Sequence, residues 1–307
     1  MSGVDFVTLV GPTASGKSGL ALELASYLPC EIVSVDSALV YRGMDIGTAK
    51  PTWAERQQCR HHLIDILDPA ESYSTAEFVR DAEQAIHDIR ARGRVPLLVG
   101  GTMMYLRSLL FGLAQLPSAD PEVRQQICAM ASEKGWGYVH ACLRQVDPVS
   151  AARIHPNDPQ RLQRALEVYQ VSGKPLSEWQ KGTQTPRWKA AQIGLVPEHR
   201  QALMPRIEGR FDVMLAQGFE TEVRALKARS DLHLDLPSMR SVGYRQMWEY
   251  LDGKYTFTEM RTRAIIATGQ LAKRQMTWLR KWPLDMRLDP LCTHKVADLA
   301  KWIERQI

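Results

Sequence analysis

The sequence predicts an α/β fold: a parallel sheet flanked by helices, with an all-helical insertion in mid-chain. Three observations carry this prediction. Residues 11–18, Gly11-Pro12-Thr13-Ala14-Ser15-Gly16-Lys17-Ser18, complete a G-x-x-x-x-G-K-[ST] pattern directly after an apolar run. Apolar, β-branched runs alternate with helical spacing on both sides of the chain's middle. Between about 120 and 186 the strand signals stop and only helix signals remain.

Phe6-Val7-Thr8-Leu9-Val10 is the first strand. The glycine-rich loop follows, and Gly19 to Ala25 is compatible with a helix. Strand, loop and helix in this order define the core as P-loop NTPase-like. Glycines let the backbone wrap a phosphate with its N–H groups inward, and the helix N-terminus adds positive potential. Lys17 supplies a mobile charge, and the Ser18 hydroxyl suits Mg²⁺. Residues 31–36 predict a second strand. Ser74 and Glu77 form a capping box ahead of a helix whose apolar face is Phe78, Ala82, Ile86 and Ile89. Residues 94–99 predict a third strand.

The texture changes at Leu116-Pro117-Ser118-Ala119-Asp120-Pro121. In the insertion, Asp158 caps a helix with Pro159 at its first position, and Leu162, Ala165, Leu166 and Tyr169 form its apolar face. A strand over 191–196 returns to the core, and helices follow at about 199–217, 219–228, 241–251 and 258–281. The predicted organisation is therefore core over 1–119, helical insertion over 120–186 and core again over 187–307.

Composition narrows the function classes. No apolar run approaches membrane-spanning length. The first strand begins so early that a signal peptide is not expected. The five cysteines are scattered and form no C-x-x-C, which suits a reducing cytoplasm. Cys59, His61 and His62 lack further ligands and read as an ordinary loop. Residues 240–281 carry nine Lys/Arg against three Asp/Glu, an excess larger than the +5 of the whole chain. Such a basic segment suits a polyanionic partner. No coiled-coil pattern is visible, and a monomer is expected.

Asp36 closes the second strand, where ligands of open α/β sheets bind. A Mg²⁺-coordinating acid, a general base and a structural cap all fit that position. The third strand ends in Gly100-Gly101-Thr102 rather than in the acid that nucleotide hydrolysis uses. Either a close approach to phosphate or a turn that needs glycine dihedrals explains the glycines. Gln160-Arg161-Leu162-Gln163-Arg164 places two arginines on one helix face. Trp278 reads as a core anchor rather than a base-stacking platform.

The chain closely resembles bacterial tRNA dimethylallyltransferases, nearly end to end. The resemblance is carried by GPTASGKS at 11–18, SVDSALVYRGMDIGTAKP at 34–51, RHHLIDILDP at 60–69 and GGTMMYLRSLL at 100–110. It continues in RIHPNDPQRLQRALEV at 153–168, MRSVGYRQMWEYL at 239–251 and ATGQLAKRQMTWLR at 267–280. It implies transfer of a dimethylallyl group from dimethylallyl diphosphate to N6 of adenosine 37 in the tRNA anticodon loop, giving N6-isopentenyladenosine. The residues matching the family's diphosphate-binding loop are Gly11, Pro12, Thr13, Ala14, Ser15, Gly16, Lys17 and Ser18, with Mg²⁺ near Ser18. Asp36 matches the general base, and Thr102 a donor to the leaving oxygen. Segments matching tRNA contacts are Asp36-Ser37-Ala38-Leu39 with Thr102, Gln160-Arg161-Leu162-Gln163-Arg164, Arg240-Ser241-Val242-Gly243-Tyr244-Arg245 and Lys273-Arg274-Gln275-Met276-Thr277-Trp278-Leu279-Arg280. Arg124 matches one further contact. The insertion would grip the anticodon stem-loop. Gly269 departs from the pattern, standing where many relatives carry Arg, which puts helix rigidity or RNA affinity in doubt. Two other classes share these features: a P-loop kinase of a small metabolite with Asp36 as base, and an RNA-binding P-loop protein without transfer activity.

Overall fold

The computed structural model describes residues 3–114, 116–181 and 185–307. Among them, six parallel strands form one sheet: β1 (Phe6–Val10), β2 (Cys30–Val35), β3 (His61–His62), β4 (Val95–Gly100), β5 (Ala190–Leu195) and β6 (Met286–Leu288). Their order is β3-β2-β4-β1-β5-β6. β1 and β2 are buried at every position, as strands covered on both faces must be. Register levels the three central strand ends, because Gly100 faces both Val10 of β1 and Val35 of β2. Gly11, Asp36 and Gly101 therefore leave the sheet side by side.

The helices are α1 (Lys17–Ala25), α2 (Trp53–Gln58), α3 (Thr75–Ala91), α4 (Met103–Phe111), α5 (Pro121–Lys134), α6 (Trp136–Val146), α7 (Pro148–Arg153), α8 (Pro159–Ser172), α9 (Leu176–Trp179), α10 (Met204–Ala216), α11 (Phe219–Lys227), α12 (Tyr244–Leu251), α13 (Phe257–Leu279) and α14 (Val296–Glu304). A 3₁₀ turn, Arg200–Leu203, precedes α10, so the single helix expected over 199–217 is broken at Met204-Pro205. The Ser74–Glu77 capping box is present, with Glu77 N–H donating to Ser74 Oγ at 3.2 Å. Two strands escape the sequence pattern. β3 is two histidines, expected as loop, and β6 is three residues with an exposed Arg287 in the middle. Both lie at sheet edges, where a short polar stretch can pair without an apolar signature.

The chain divides into two compact units. One joins residues 1–110 to 187–307, and the other is 111–186. In the larger unit, one apolar layer packs β1, β2, β4 and β5 against α1 and α14. Another gathers α10 to α13 with Val40, Tyr41 and Met44. Arg187 N–H donates to Leu110 O at 2.6 Å, so the chain leaves and re-enters this unit at one point. The smaller unit is helical throughout its described residues and owns a core of Ile127, Val139, Leu143, Leu162, Leu166 and Val168. Asp147, 1% exposed, ties it together: Oδ1 accepts Ser150 N–H and Oδ2 accepts Ser177 N–H, both at 2.9 Å. Residues 182–184 of the expected insertion lie outside the described residues.

Candidate active site

The glycine-rich loop departs from β1 with a backbone that only glycine adopts at low cost. Gly16 has φ 90° and Ala14 φ 62°, both left-handed. A non-glycine residue held there costs on the order of 1–3 kcal/mol, a strain that functional loops store. Gly11 N–H donates to Gly100 O at 3.4 Å, and a Cβ on Gly11 would stand 2.6 Å from Leu195 O. Ser15 Oγ is buried beneath the loop with no partner among the described residues. Lys17 opens α1 and folds back, its Nζ donating to Pro12 O at 3.2 Å. Burial pushes the Lys17 ammonium down to about 8; the Asp36 carboxylate pulls it up and the Arg210 guanidinium pushes it further down.

Asp36 follows β2 directly, one residue past the strand end. Its Oδ1 accepts Ala38 N–H at 2.8 Å, which turns the chain away from the sheet and fixes the carboxylate. Thr102 sits at the head of α4. Its N–H donates to Val35 O at 3.2 Å, and its carbonyl accepts Tyr105 N–H at 3.0 Å. Gly100 and Gly101 keep negative φ, so turn dihedrals do not explain them. Close packing does. A Cβ on Gly100 would lie 2.0 Å from Val35 O, and one on Gly101 would lie 2.3 Å from Gln275 Nε2. Gln275 of α13 clasps both loops, with Oε1 accepting Thr13 N–H at 2.8 Å and Nε2 donating to Gly101 O at 3.2 Å.

These segments converge on one cavity of about 410 Å³. Thr13, Ala14, Lys17 and Ser18 line it, with Asp36-Ser37-Ala38-Leu39, Gly100, Thr102, Arg240-Ser241-Val242-Gly243-Tyr244 and Gln275. Arg210 joins them and was not anticipated from the sequence. Its Nη2 donates to Thr48 O at 3.3 Å, and burial holds its guanidinium below the ordinary value despite Asp36. A signal was present: Arg210 falls among Ile207, Phe211 and Met214, the buried face of α10. A cation on an apolar helix face is costly unless it meets an anion or hydrogen-bond acceptors.

Other residues separate by exposure. On α13, Lys273, Arg274, Thr277 and Trp278 are exposed, as is Arg280 at its C-cap, while Met276 and Leu279 are buried. Trp278 is 38% exposed, which corrects its assignment as a core anchor: it lies on the basic face, opposite Met276. Met276, Leu279 and Leu162 travel with their segments by resemblance, but their side chains belong to helix cores and cannot reach a partner. Tyr244 is buried against Phe219, with ring centroids 5.1 Å apart. Arg240 and Arg245 are exposed. Gly269 is buried, and a Cβ there would meet Met204 Sδ at 3.3 Å. The position packs against Met204, and Arg200 Nη1 donates to the Gly269 carbonyl at 3.3 Å.

Within the helical unit, Gln160 and Arg161 are exposed, and Arg161 pairs with Asp158 at 3.1 Å. Gln163 Nε2 donates to Arg124 O at 3.3 Å. Glu167 is fully buried and accepts from Arg124 Nε at 2.9 Å, Arg164 Nη1 at 2.8 Å and Asp120 N–H at 2.8 Å. Burial pushes Glu167 up, but Arg164, the Asp120 amide and Arg124 together hold it below its ordinary value. Arg124 and Arg164 are thus preset as forks rather than free side chains. His62 Nε2 lies 2.7 Å from Glu31 Oε2, and His61 Nδ1 lies 2.7 Å from Cys59 O. No cluster of three His, Cys, Asp or Glu able to hold a metal ion occurs among the described residues.

A parallel sheet ending in a glycine-rich loop, with a carboxylate beside it and arginines at the cavity rim, describes a P-loop enzyme. Comparison with known proteins narrows that class. The family model IPP transferase matches residues 39–282, and the chain belongs to that family. The full-length tRNA isopentenylpyrophosphate transferase of Bacillus halodurans is 36% identical, with a TM-score of 0.71 over 98% of this chain and 96% of that one. A tRNA isopentenylpyrophosphate transferase of Staphylococcus epidermidis is 32% identical, with a TM-score of 0.69 over 98% and 99%. A eukaryotic dimethylallyltransferase acting on tRNA is 27% identical, with a TM-score of 0.79 over 97% of this chain and 75% of that chain. The protein is an enzyme of prenyl transfer.

Proposed function

We propose that the protein transfers a dimethylallyl group from dimethylallyl diphosphate to N6 of adenosine 37 in the tRNA anticodon loop. The observation that carries this reading is the single cavity joining the phosphate loop, Asp36, Thr102 and the basic 240–244 segment. Loop amides, Lys17 and Arg210 grip the diphosphate. A stacked base cannot enter such a cavity, so the adenosine is extruded from the loop. Arg240, Arg245 and the exposed face of α13 hold the RNA backbone, and Gln160, Arg161, Arg124 and Arg164 hold the stem-loop from the insertion.

The exocyclic amine of adenine is a weak nucleophile because its lone pair is delocalised into the ring. Asp36 accepts the N6 proton as the N6–carbon bond forms. The allylic carbon–oxygen bond breaks, and its electron pair leaves with the diphosphate. Lys17, the loop amides, Arg210 and the Thr102 hydroxyl stabilise that charge. In this reading Asp36 accepts a proton in addition to capping the Ala38 amide. Mg²⁺ fits the donor set, since it favours few protein oxygens plus substrate phosphates. Ser18 and the diphosphate oxygens would hold it, and it would neutralise charge on the diphosphate.

The reading implies a cytoplasmic monomer; no helix among the described residues is long and apolar enough to cross a membrane. Labelled dimethylallyl diphosphate, Mg²⁺ and unmodified tRNA test it: label enters the tRNA. Asp36→Ala lowers kcat by about 10²–10⁴-fold while tRNA binding persists. Near wild-type turnover in that variant removes Asp36 from the base role. ATP-dependent phosphorylation of a metabolite without tRNA would favour the kinase instead.

A further inference from the structure

Glu222, in the first turn of α11, makes contacts out of proportion to a surface carboxylate. Its Oε2 accepts the backbone N–H groups of Asp45 at 2.9 Å and Ile46 at 2.7 Å. Its Oε1 accepts Gly47 N–H at 3.2 Å and the Tyr244 hydroxyl at 2.5 Å. Three consecutive amides converging on one point form an anion nest. Here the anion comes from the same chain, 175 to 177 residues away.

The loop so held is tight. The Thr48 hydroxyl donates to Met44 O at 2.7 Å and to Asp45 O at 3.1 Å. A Cβ on Gly47 would lie 2.2 Å from the Phe219 ring and 2.6 Å from the Tyr244 ring, so the loop lies flat on both aromatics. The next carbonyl, Thr48 O, is the acceptor of Arg210 Nη2. Gly47, Thr48, Arg210 and Tyr244 all line the cavity that holds Lys17 and Asp36. Glu222 itself is not among the residues lining it.

We propose that Glu222 is a positioning residue for the donor diphosphate. It sets the loop over 45–48 so that Thr48 O aims the Arg210 guanidinium at the phosphate cradle. An arginine is useful there only if its fork is fixed before the anion arrives, because ordering a long side chain costs affinity. The proposal rests on the assignment of this cavity to the diphosphate.

Glu222→Gln keeps the size but sets an NH₂ group against amides that need an acceptor. The expected result is an increase of about tenfold in KM for dimethylallyl diphosphate, with kcat and KM for tRNA within about threefold of wild type. Arg210→Lys raises the same KM, and the double variant is no worse than Arg210→Lys alone, because Glu222 acts through Arg210. Effects that multiply in the double variant, or a Glu222→Gln loss that falls on kcat or on tRNA, overturn the positioning role. An unchanged KM in Arg210→Lys overturns the diphosphate assignment itself, and the proposal with it. If circular dichroism finds Glu222→Gln unfolded, Glu222→Asp, which keeps the charge and withdraws it by one methylene, runs the same cycle.

Discussion

Lys17 joins burial to charge at one atom. Its ammonium is pushed down to about 8, against 10.5 in an unfolded chain. Below pH 8 the folded protein therefore carries the cost of a buried cation, and that cost falls as pH rises from 8 toward 10.5. Binding runs the other way. A diphosphate favours protonated Lys17, so kcat/KM for the donor should decline as pH rises through about 8 while stability does not fall; a pH–rate profile beside urea titrations separates the two. Gly101 yields a second residue-scale expectation. Gly101→Ala drives a methyl into the Gln275 amide and toward Gly11 O, 3.0 Å away. The clasp between the two loops opens, and KM for the donor rises by about tenfold or more, measurable in steady-state kinetics. The sequence exposed these residues unevenly. Lys17, Asp36 and Thr102 were legible because each stands in or beside a contiguous motif. Gln275 reaches Thr13 across 262 residues, and Arg210 reaches Thr48 across 162, distances no local pattern encodes.

At the scale of elements, α13 explains why a basic run can be both core and surface. Ala264, Ile265, Gly269, Ala272, Met276 and Leu279 are buried, leaving Lys273, Arg274, Thr277 and Trp278 on the outer face, with Arg280 exposed at the C-cap. With that face on phosphates, Lys273→Ala/Arg274→Ala reduces the slope of log K against log salt by up to about 1.4, taking roughly 0.7 per phosphate contact for single strands. Filter binding of tRNA at several salt concentrations measures it, and an unchanged slope removes the face from the interface. The major elements were legible for physical reasons. β1, β2, β4 and β5 are apolar because both faces are covered, and α3 and α8 announce their starts with caps. β3, β6 and the break before α10 were not, since edge pairing and a 3₁₀ turn leave little trace in periodicity. The glycines after β4 were visible, but not their reason. Negative φ and a Val35 carbonyl 2.0 Å from a would-be Cβ are properties of the packed sheet.

For the whole molecule, the decisive feature is the neck between Leu110 O and Arg187 N, a 2.6 Å hydrogen bond. The helical unit has its own core and the larger unit closes without it. Joining residue 110 to residue 187 through a short glycine linker should leave a core that folds and binds the donor diphosphate but has lost most of its tRNA affinity. Calorimetry of the intact chain should resolve two transitions, and the shortened chain one. A single transition in the intact protein would mean that the units unfold together. Because the two chain crossings sit one hydrogen bond apart, inserting or removing a module there closes almost no loop. The neck thereby makes the helical unit a cassette, one that can be replaced without re-threading the larger unit.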